Sequence, residues 1–395
     1  MSKEKNLIII YFSASPSKHA LGPAITIDNF ISNMSELVNI ELISLNMDYS
    51  AKRRLFSGFT EIVESGGCRI TYLTPGFPAL KYLFQLLRKR NSIVLINCLY
   101  DYRLAIPSLV FSLLYPPRLL LHMPHGIFMD IIQAKNRARK YFFNRMLGSG
   151  VVSRRVVHVV SSVKEKEDAI KVLGPDIDTV VIPHFAVNSV NTPHWYASKT
   201  ANSLRIVLIG RVVEQKNIVY ALDRIAEAGV ACTLDIFGEI ADSGYMRQCA
   251  RALEIGGLKN HVKFYGRRDQ NELLKELGDY DLMFLPTKGE NFGQAIIEAM
   301  SAGLPVLISD RTPWSDVGRY DAGWAVPLSE PQEFSAKIRS AYEASGNWGL
   351  KRKSAVQYVE MKIQSQRIKS DWIKLINEGI PTTASAPNEG ERWWR

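Results

Sequence analysis

The chain has few cysteines, and they form no recognisable framework. Among its 395 residues only four are cysteine, at 68, 98, 232 and 249, and no two of them form a C-x-x-C pair. This scatter argues against a disulfide scaffold or a cysteine metal site, and it fits a reducing compartment. With 46% hydrophobic and 22% charged residues, the composition is that of a globular protein with ample core, long enough for two domains.

The sequence also lacks an apolar run of transmembrane length. Its most apolar region, residues 104–123, is interrupted by three prolines and by Arg118, a pattern that predicts a helix, a turn and a strand. The first residues contain a short apolar run typical of a buried strand, without the longer core and cleavage site of a signal peptide. We expect a cytoplasmic protein, with the inner face of the cell membrane as one place where it could work.

Positive charge is concentrated in the first half of the chain. Residues 1–195 hold 23 Lys and Arg against 14 Asp and Glu, a net +9, which leaves 26 against 25 for residues 196–395. The excess forms three clusters, at 52–54, 88–90 and 135–140. An anionic membrane surface, nucleic acid or solvent alone could face such clusters. No nucleic-acid-binding motif accompanies them, so nucleic acid is not an expected partner.

Strand-length apolar runs alternate with helical patterns in both halves, which predicts an α/β fold of two Rossmann-like, doubly wound domains facing each other across a cleft. The predicted strands are 7–12, 40–45, 93–97, 119–123 and 156–161, then 205–209, 233–237, 263–265, 282–285 and 306–308. The predicted divisions are an N-terminal domain over 1–195, a C-terminal domain over 200–350, a helix over 351–378 and a disordered tail over 380–395.

Residues 285–314, LPTKGENFGQAIIEAMSAGLPVLISDRTPW, hold the most informative pattern. A strand, a glycine-bearing loop and a helix that carries Glu290 and Glu298 would form an anion site, because unpaired amides and the helix dipole face one point. In such a site an anion would lie at the amides of Phe292 and Gly293, and the flanking carboxylates would accept hydrogen bonds from sugar hydroxyls. This arrangement is that of a nucleotide-sugar site. The alternative is an acidic helix start stabilised by its own dipole.

This stretch resembles a known family. E-N-F-G-x-x-x-x-E-A-M-x-x-G-x-P-V is similar to the donor-site signature of family 4 retaining glycosyltransferases of the GT-B fold, and residues 206–217 resemble that family's G-R-x(4)-K-G loop. The resemblance is specific over residues 200–345 and weaker over 1–195. One departure is Asn217, where the family has glycine. Asparagine tolerates positive φ, so the turn is expected to persist.

The resemblance implies roles for individual residues. Lys216 and Arg211 would stabilise the leaving diphosphate, Glu298 would face the ribose, and Glu290 would face the transferred sugar. The resemblance further implies that the donor-binding residues are Gly210, Arg211, Lys216, Arg267, Glu290, Asn291, Phe292, Gly293 and Glu298. On the N-terminal side, His125 matches the family's histidine at a strand end, whereas His122 and Glu165 are assigned structural roles.

The implied activity is transfer of a sugar from a nucleotide-sugar to a glycan or lipid-linked acceptor, with retention of configuration, in bacterial surface-polysaccharide synthesis. The donor would bind the C-terminal domain and the acceptor the N-terminal domain, with the last helix crossing back to it. No metal or cofactor is expected, because Arg211, Lys216 and the amides at 292–293 would neutralise the diphosphate. The loop at 15–24 is atypical and leaves the acceptor open. A GT-B-fold nucleotide-sugar epimerase and a non-catalytic nucleotide-sugar-binding protein remain as alternatives.

Overall fold

The computed structural model describes residues 6–11, 22–47, 54–58, 60–65, 67–88, 91–97, 99–134, 137–186, 203–344 and 349–379. The chain divides into two compact units, the first made of residues up to Phe185 together with those from Ser365 onward, the second of Ala186–Gln364. The atypical loop at 15–24 lies largely outside the described residues, as do residues 187–202, where the two predicted domains meet in the chain, and the whole tail at 380–395.

The first unit is built on an eight-stranded sheet. Its strands are β1 (Asn6–Ile10), β2 (Asn39–Leu45), β3 (Thr60–Ser65), β4 (Cys68–Leu73), β5 (Ile93–Asn97), β6 (Leu119–Met123), β7 (Val157–Val160) and β8 (Asp178–Val181). They are ordered β3-β4-β2-β1-β5-β6-β7-β8, and every pair is parallel except β3 with β4. Apart from the exposed Asn6, the central strands β1 and β5 are buried, as expected for a parallel sheet covered on both faces by helices.

Eight helices belong to this unit among the residues described: α1 (Gly22–Met34), α2 (Phe77–Leu87), α3 (Ala105–Leu114), α4 (Asp130–Gln133), α5 (Arg137–Leu147), α6 (Gly150–Ser153), α7 (Val163–Leu173) and α14 (Ser365–Glu378). The core combines apolar residues of the central strands with Leu83, Leu109 and Ala169 from the helices. Helix α14 joins this unit because the ring of Trp372 packs against Phe30, with 4.8 Å between ring centroids.

The second unit has a six-stranded, all-parallel sheet. Its strands are β9 (Leu204–Ile209), β10 (Cys232–Phe237), β11 (Val262–Gly266), β12 (Leu282–Leu285), β13 (Val306–Ser309) and β14 (Gly323–Val326), in the order β11-β10-β9-β12-β13-β14. The helices are α8 (Ile218–Ala228), α9 (Ser243–Ile255), α10 (Gln270–Leu277), α11 (Gln294–Ser301), α12 (Pro331–Glu343) and α13 (Gly349–Lys362).

The prediction of two parallel α/β domains is confirmed, and several elements differ from those predicted. The hairpin β3–β4 and the edge strands β8 and β14 are additional. The single helix predicted over 351–378 is two helices, since the backbone leaves the helix at 363–364. Helix α13 packs in the second unit, where Lys362 Nζ lies 2.8 Å from Asp316 Oδ2, and only α14 belongs to the first.

Two further observations bear on the sequence predictions. The thiols of Cys68, Cys232 and Cys249 are buried and unpaired, and burial raises the pKa of each to about 11. Cys98 lies outside the described residues. Across the described part of the chain, no helix is both long enough and apolar enough to cross a membrane.

Candidate functional site

The strand order of the second unit places the predicted site residues together. From β9 the chain proceeds to β10 and β11 on one side and to β12, β13 and β14 on the other. Ligands of open parallel sheets bind beyond the carboxyl ends of the strands, at the point where the strand order reverses. Gly210 and Arg211 follow β9, and Glu290 follows β12, so the two sequence motifs meet on either side of this point.

Gly210 provides the space that the side chain of Lys216 occupies. A Cβ atom at Gly210 would lie 3.0 Å from Lys216 Cε and 3.1 Å from its Cδ. The turn is completed by Asn217, which has φ 58° and ψ 40° and immediately precedes α8. The predicted positive φ at Asn217 is therefore confirmed. This turn returns the lysine side chain over the end of β9.

Gly238 is a site residue that sequence reasoning missed. It follows β10 with φ 153°, and a Cβ atom there would lie 2.0 Å from the carbonyl oxygen of Gly210. Only glycine allows the two strand ends to approach this closely. In the sequence, Gly238 is marked only as an isolated glycine after a predicted strand. The atom that approaches it belongs to the residue that follows a different strand.

Lys216 and Glu290 form an ion pair at the centre of the site. Lys216 Nζ lies 2.5 Å from Glu290 Oε1, and the two side chains are only 15% and 11% exposed. The surrounding loops are joined by backbone and side-chain hydrogen bonds: Gln215 Nε2 donates to the carbonyl of Gly289 over 2.8 Å, and the amide of Lys288 donates to the carbonyl of Gln215 over 2.8 Å. The two motifs are thus held as one rigid structure.

The loop that precedes α11 is shaped by Gly293. This residue has φ 76° and caps the helix, and a Cβ atom on it would lie 3.1 Å from Trp314 Nε1. Trp314 Nε1 in turn donates a 2.6 Å hydrogen bond to the carbonyl of Phe292, which is buried. Because α11 begins at Gln294, Glu290 and the half-buried Asn291 lie in the loop rather than on the helix as predicted.

Glu298 lies inside α11 and is almost fully buried. Its Oε1 accepts a 2.7 Å hydrogen bond from Gln270 Nε2, at the start of α10. Burial raises the pKa of Glu298 to about 7, and the hydrogen bond from Gln270 opposes that rise. Gln270 was missed by sequence reasoning, although Asp269, which accepts the amide of Glu272, marks the helix start that puts Gln270 at this edge of the sheet.

The two predicted arginines differ in their surroundings. Arg211 is exposed directly after Gly210. Arg267 follows β11 and is half-buried, and its Nη2 lies 2.7 Å from Glu239 Oε2. Glu239 follows β10, so this ion pair lies on the β10–β11 side of the sheet edge. Arg267 is therefore already paired with a carboxylate, whereas the exposed guanidinium of Arg211 is positioned to meet solvent or a ligand.

His125 belongs to the first unit, where it follows β6. It has φ 52°, the next residue, Gly126, has φ 77°, and His125 Nε2 lies 2.9 Å from Asn97 Oδ1. Burial lowers the pKa of His125 to about 4, so its imidazole is neutral at physiological pH. A neutral imidazole can donate or accept a hydrogen bond.

Glu165 anchors the turn that holds His125, a role beyond the helix capping predicted for it. Its Oε1 accepts the amide of Gly126 over 2.6 Å, and its Oε2 accepts the amide of Ser161 over 2.7 Å. The predicted cap is present too, because Ser162 Oγ accepts the amide of Glu165. His122, predicted to be a packing residue, is confirmed as buried, and its Nδ1 lies 2.9 Å from His158 Nδ1.

The sequence of the second unit matches a known family. Residues 197–360 match the family described as Glycosyl transferases group 1. This segment is therefore similar to the group 1 glycosyl transferases. The match includes every predicted donor-site residue, from Gly210 to Glu298.

Two curated relatives align with part of the chain. A glycogen synthase of Mycobacterium tuberculosis is 26% identical over 178 residues, which is 41% of this chain and 42% of the relative. The amylovoran biosynthesis glycosyltransferase AmsK of Erwinia amylovora is 28% identical over 145 residues, 34% of each protein. The chain therefore aligns with less than half the length of either relative.

Solved structures match over nearly the whole chain. HepE from Anabaena, solved in complex with UDP and glucose, superposes with a TM-score of 0.74 at 17% identity, covering 94% of this chain and 99% of HepE. Sucrose-phosphate synthase from Thermosynechococcus elongatus gives a TM-score of 0.73 at 17% identity and covers 94% and 98%. This likeness confirms the predicted GT-B fold.

Proposed function

We propose that this protein is a glycosyltransferase that takes a sugar from a nucleotide-sugar bound to its C-terminal unit. The observation that carries the proposal is the half-buried Lys216–Glu290 pair beside the glycine-capped start of α11. A cation, a sugar-facing carboxylate and a helix N-terminus lie within the segment that matches the group 1 glycosyl transferases. The cation and the helix N-terminus suit the diphosphate and the negative charge that develops on it, and the carboxylate suits the hydroxyls of the sugar.

In this proposal the diphosphate lies between Lys216, Arg211 and the first turn of α11. Glu290 accepts hydrogen bonds from hydroxyls of the transferred sugar, and Glu298 accepts hydrogen bonds from those of the ribose. The negative charge on the leaving diphosphate grows as the glycosidic bond breaks. Fixed cations therefore stabilise the transition state more than the ground state, which is the requirement for catalysis. The complex of HepE with UDP and glucose favours a uridine diphosphate sugar as the first donor to test.

We propose retention of anomeric configuration. The acceptor hydroxyl would attack from the face that the diphosphate leaves, and the leaving phosphate oxygen would take the proton of that hydroxyl. No protein carboxylate then needs to act as nucleophile or general base. His125, neutral and held by Asn97, would hydrogen-bond a hydroxyl of the donor sugar.

We also propose that the reaction needs no divalent metal, since Lys216, Arg211 and the helix amides supply positive charge to the diphosphate. Two Asp-x-Asp triplets occur in the chain, at 176–178 and 279–281. Asp178 begins β8, and 279–281 immediately precede β12. Both triplets thus lie at the amino ends of their strands, whereas the candidate site residues follow the carboxyl ends of theirs.

A thermal-shift screen against UDP, GDP, ADP and their sugars tests the donor half of this proposal. A ligand present at a hundredfold its dissociation constant adds about 2.7 kcal/mol of apparent stability. The matching donor should then be turned over with an acceptor extract in the presence of EDTA, and the anomeric configuration of the product read by NMR. Donor consumption without acceptor would instead favour the epimerase alternative, and binding without turnover a non-catalytic protein.

For the acceptor, we propose a lipid-linked glycan at an anionic membrane surface. On α5, Arg137, Tyr141 and Arg145 are spaced four residues apart and all exposed, Tyr141 by 66%. An exposed face of arginines and an aromatic ring suits lipid headgroups. The predicted cluster at 135–140 is smaller than its sequence suggests, because Lys140 is half-buried and its amine lies 5.5 Å from the centroid of the Tyr100 ring. Lys89, Arg90, Lys52 and Arg53 lie outside the described residues.

Liposome sedimentation tests the membrane proposal. Vesicles containing anionic lipid should retain the protein at low salt and release it at high salt, since headgroup attraction is screened over about 8 Å at physiological ionic strength. Replacing Arg137 and Arg145 with serine should weaken retention without changing donor affinity. The control replaces Arg247 and Arg251 with serine, an exposed pair of arginines on α9 that carries the same charge. Equal retention of both double variants, or none by the parent protein, would contradict the proposal.

A further inference from the structure

The first unit has its own switch point, and a side chain lies across it. In this sheet β1 is flanked by β2 and β5, and the chain proceeds outward from β1 on both sides. Met47 follows the carboxyl end of β2, and Arg103 follows that of β5. Arg103 Nη1 lies 3.9 Å from Met47 Sδ. Because β1 lies between these two strands, the guanidinium extends over the carboxyl end of β1, where a ligand of this sheet is expected.

Arg103 is held in this position by a buried carboxylate. Its Nε lies 3.2 Å from Asp101 Oδ1, while Asp101 Oδ2 accepts the amide of Leu104 at the start of α3 over 2.9 Å. Asp101 is 8% exposed, and the side chain of Arg103 is 24% exposed. Burial lowers the pKa of Arg103. A partly desolvated guanidinium attracts an anion more strongly than one in bulk water.

The contact of this guanidinium with Met47 is chemically weak. A thioether sulfur is a poor acceptor for a guanidinium N–H. A phosphate or carboxylate oxygen in its place would form a charge-assisted hydrogen bond, for which the planar donors of arginine are well suited. The position of Arg103 therefore favours an anionic ligand over a neutral one.

An exposed aromatic ring adjoins this cation. Tyr102 is 63% exposed, and the guanidinium carbon of Arg103 lies 5.5 Å from the centroid of its ring. A further basic residue, the exposed Arg54, belongs to a segment fixed at the end of β2, where Asn46 exchanges hydrogen bonds with the backbone of Phe56. One edge of the sheet thus carries an aromatic ring, which can stack on the apolar face of a sugar, and cations, which can bind an anion.

We propose that Arg103 and Tyr102 form an acceptor subsite for an anionic sugar, one that carries a phosphate or a carboxylate beside the hydroxyl to be glycosylated. Arg103 binds the anion and Tyr102 stacks on the sugar ring. This inference rests on the proposed function, because it assigns the acceptor of that same reaction. Both anion types share the chemistry that the guanidinium recognises.

Calorimetric titration tests the subsite directly. The protein is first saturated with the nucleoside diphosphate that binds it best, so that the donor site is filled, and then titrated with glucose 1-phosphate, glucuronate or glucose. The two anionic sugars should bind and glucose should not. Which of the two binds more tightly distinguishes a phosphorylated acceptor from a uronic acid.

Arg103→Gln should weaken the binding of the anionic sugars about tenfold to a hundredfold, and Arg103→Lys should weaken it by less. Tyr102→Ala should bring the affinity for glucose 1-phosphate down to that for inorganic phosphate.

Arg154→Gln, at an exposed arginine after α6, is the matched control and should bind as the parent does. Should Arg103→Gln fail to fold, Arg103→Lys and Tyr102→Ala still decide the matter. Repeating the titrations in a Lys216→Ala background separates the two proposals, since loss of donor binding leaves the Arg103 subsite intact. Absence of anionic-sugar binding in the parent, or binding that is unchanged in Arg103→Gln and Arg103→Lys, would overturn this assignment.

Discussion

Lys216 Nζ lies 2.5 Å from Glu290 Oε1, although 74 residues separate the two in the chain. Without a ligand, the lysine that is proposed to bind the diphosphate is therefore neutralised by the carboxylate that is proposed to bind the sugar. A nucleotide-sugar offers both groups a new partner, with phosphate oxygens for Lys216 and hydroxyl donors for Glu290. Donor binding would thus exchange one internal ion pair for two ligand contacts. Neither charged group would be left without a hydrogen-bond partner in a half-buried site.

Lys216→Ala should lower turnover by on the order of a hundredfold or more, as the loss of one preorganised charge contact commonly does. The fold should be kept, because Gly210 and the backbone of the turn do not depend on the amine. Steady-state kinetics and circular dichroism measure the two effects. Lys288→Ala is the control: Lys288 lies in the neighbouring loop, is exposed, and pairs with Glu214. Near-normal turnover of Lys216→Ala would remove Lys216 from the catalytic assignment.

Glu290→Gln and Glu298→Gln should affect different ligands. Glu298→Gln should weaken both the nucleotide-sugar and the free nucleoside diphosphate, since both contain the ribose. Glu290→Gln should impair mainly the nucleotide-sugar and should bind the free diphosphate at least as well as the parent, because Lys216 loses its competing carboxylate. Isothermal calorimetry with the two ligands measures both affinities. Equal losses for both ligands in both variants would contradict the proposed division between sugar and ribose.

The left-handed turn at Asn217 makes a separate prediction about stability. Asn217→Gly should leave the free energy of unfolding and the turnover nearly unchanged, because glycine adopts φ 58° without steric cost. Asn217→Val should cost about 1–2 kcal/mol, since a β-branched residue is strongly disfavoured at positive φ. Urea unfolding of the two variants provides the comparison. If the valine variant is as stable as the glycine variant, the turn has a different conformation in solution.

Much of the candidate site could be predicted because it is encoded in two short segments. Gly210, Lys216 and Asn217 occupy one such segment, and the order of residues alone places the lysine after a strand. The contact between Lys216 and Glu290 could not be predicted, because it depends on two loops that approach only in the folded sheet. The same limit applies to Gly238, whose requirement for glycine comes from the carbonyl oxygen of Gly210.

The less predictable parts of the fold are those without a marked hydrophobic pattern. The edge strand β3 reads TEIVES, with charged residues among the apolar ones, and was not predicted. The break between α13 and α14 has no proline or glycine to mark it, so the helical pattern of 351–378 continues across residues 363–364. The helices separate there because Lys362 and Trp372 pack in different units, a fact of tertiary structure.

The pKa of Glu298, raised to about 7 by burial, predicts opposite pH trends for ligand binding and for stability. Ribose hydroxyls donate to the carboxylate, so affinity for the nucleoside diphosphate should rise as the pH increases from 5.5 to 8. Below pH 7 it should fall by up to about tenfold per pH unit. Without ligand, the folded protein holds this proton more tightly than the unfolded chain. The contribution of Glu298 to the free energy of unfolding should therefore decrease as the pH rises from 4.5 to about 7.

Calorimetry on the parent and on Glu298→Gln measures how the affinity changes over this pH range. Urea unfolding of the same two proteins measures how the free energy of unfolding changes. The terminal phosphate of the ligand also ionises, near pH 6, but it contributes equally to both proteins. The difference between them therefore isolates Glu298, since glutamine cannot titrate. If the parent and the variant show the same pH dependence of affinity, Glu298 does not accept hydrogen bonds from the nucleotide. Its burial against Gln270 would then serve only the packing of α10 on α11.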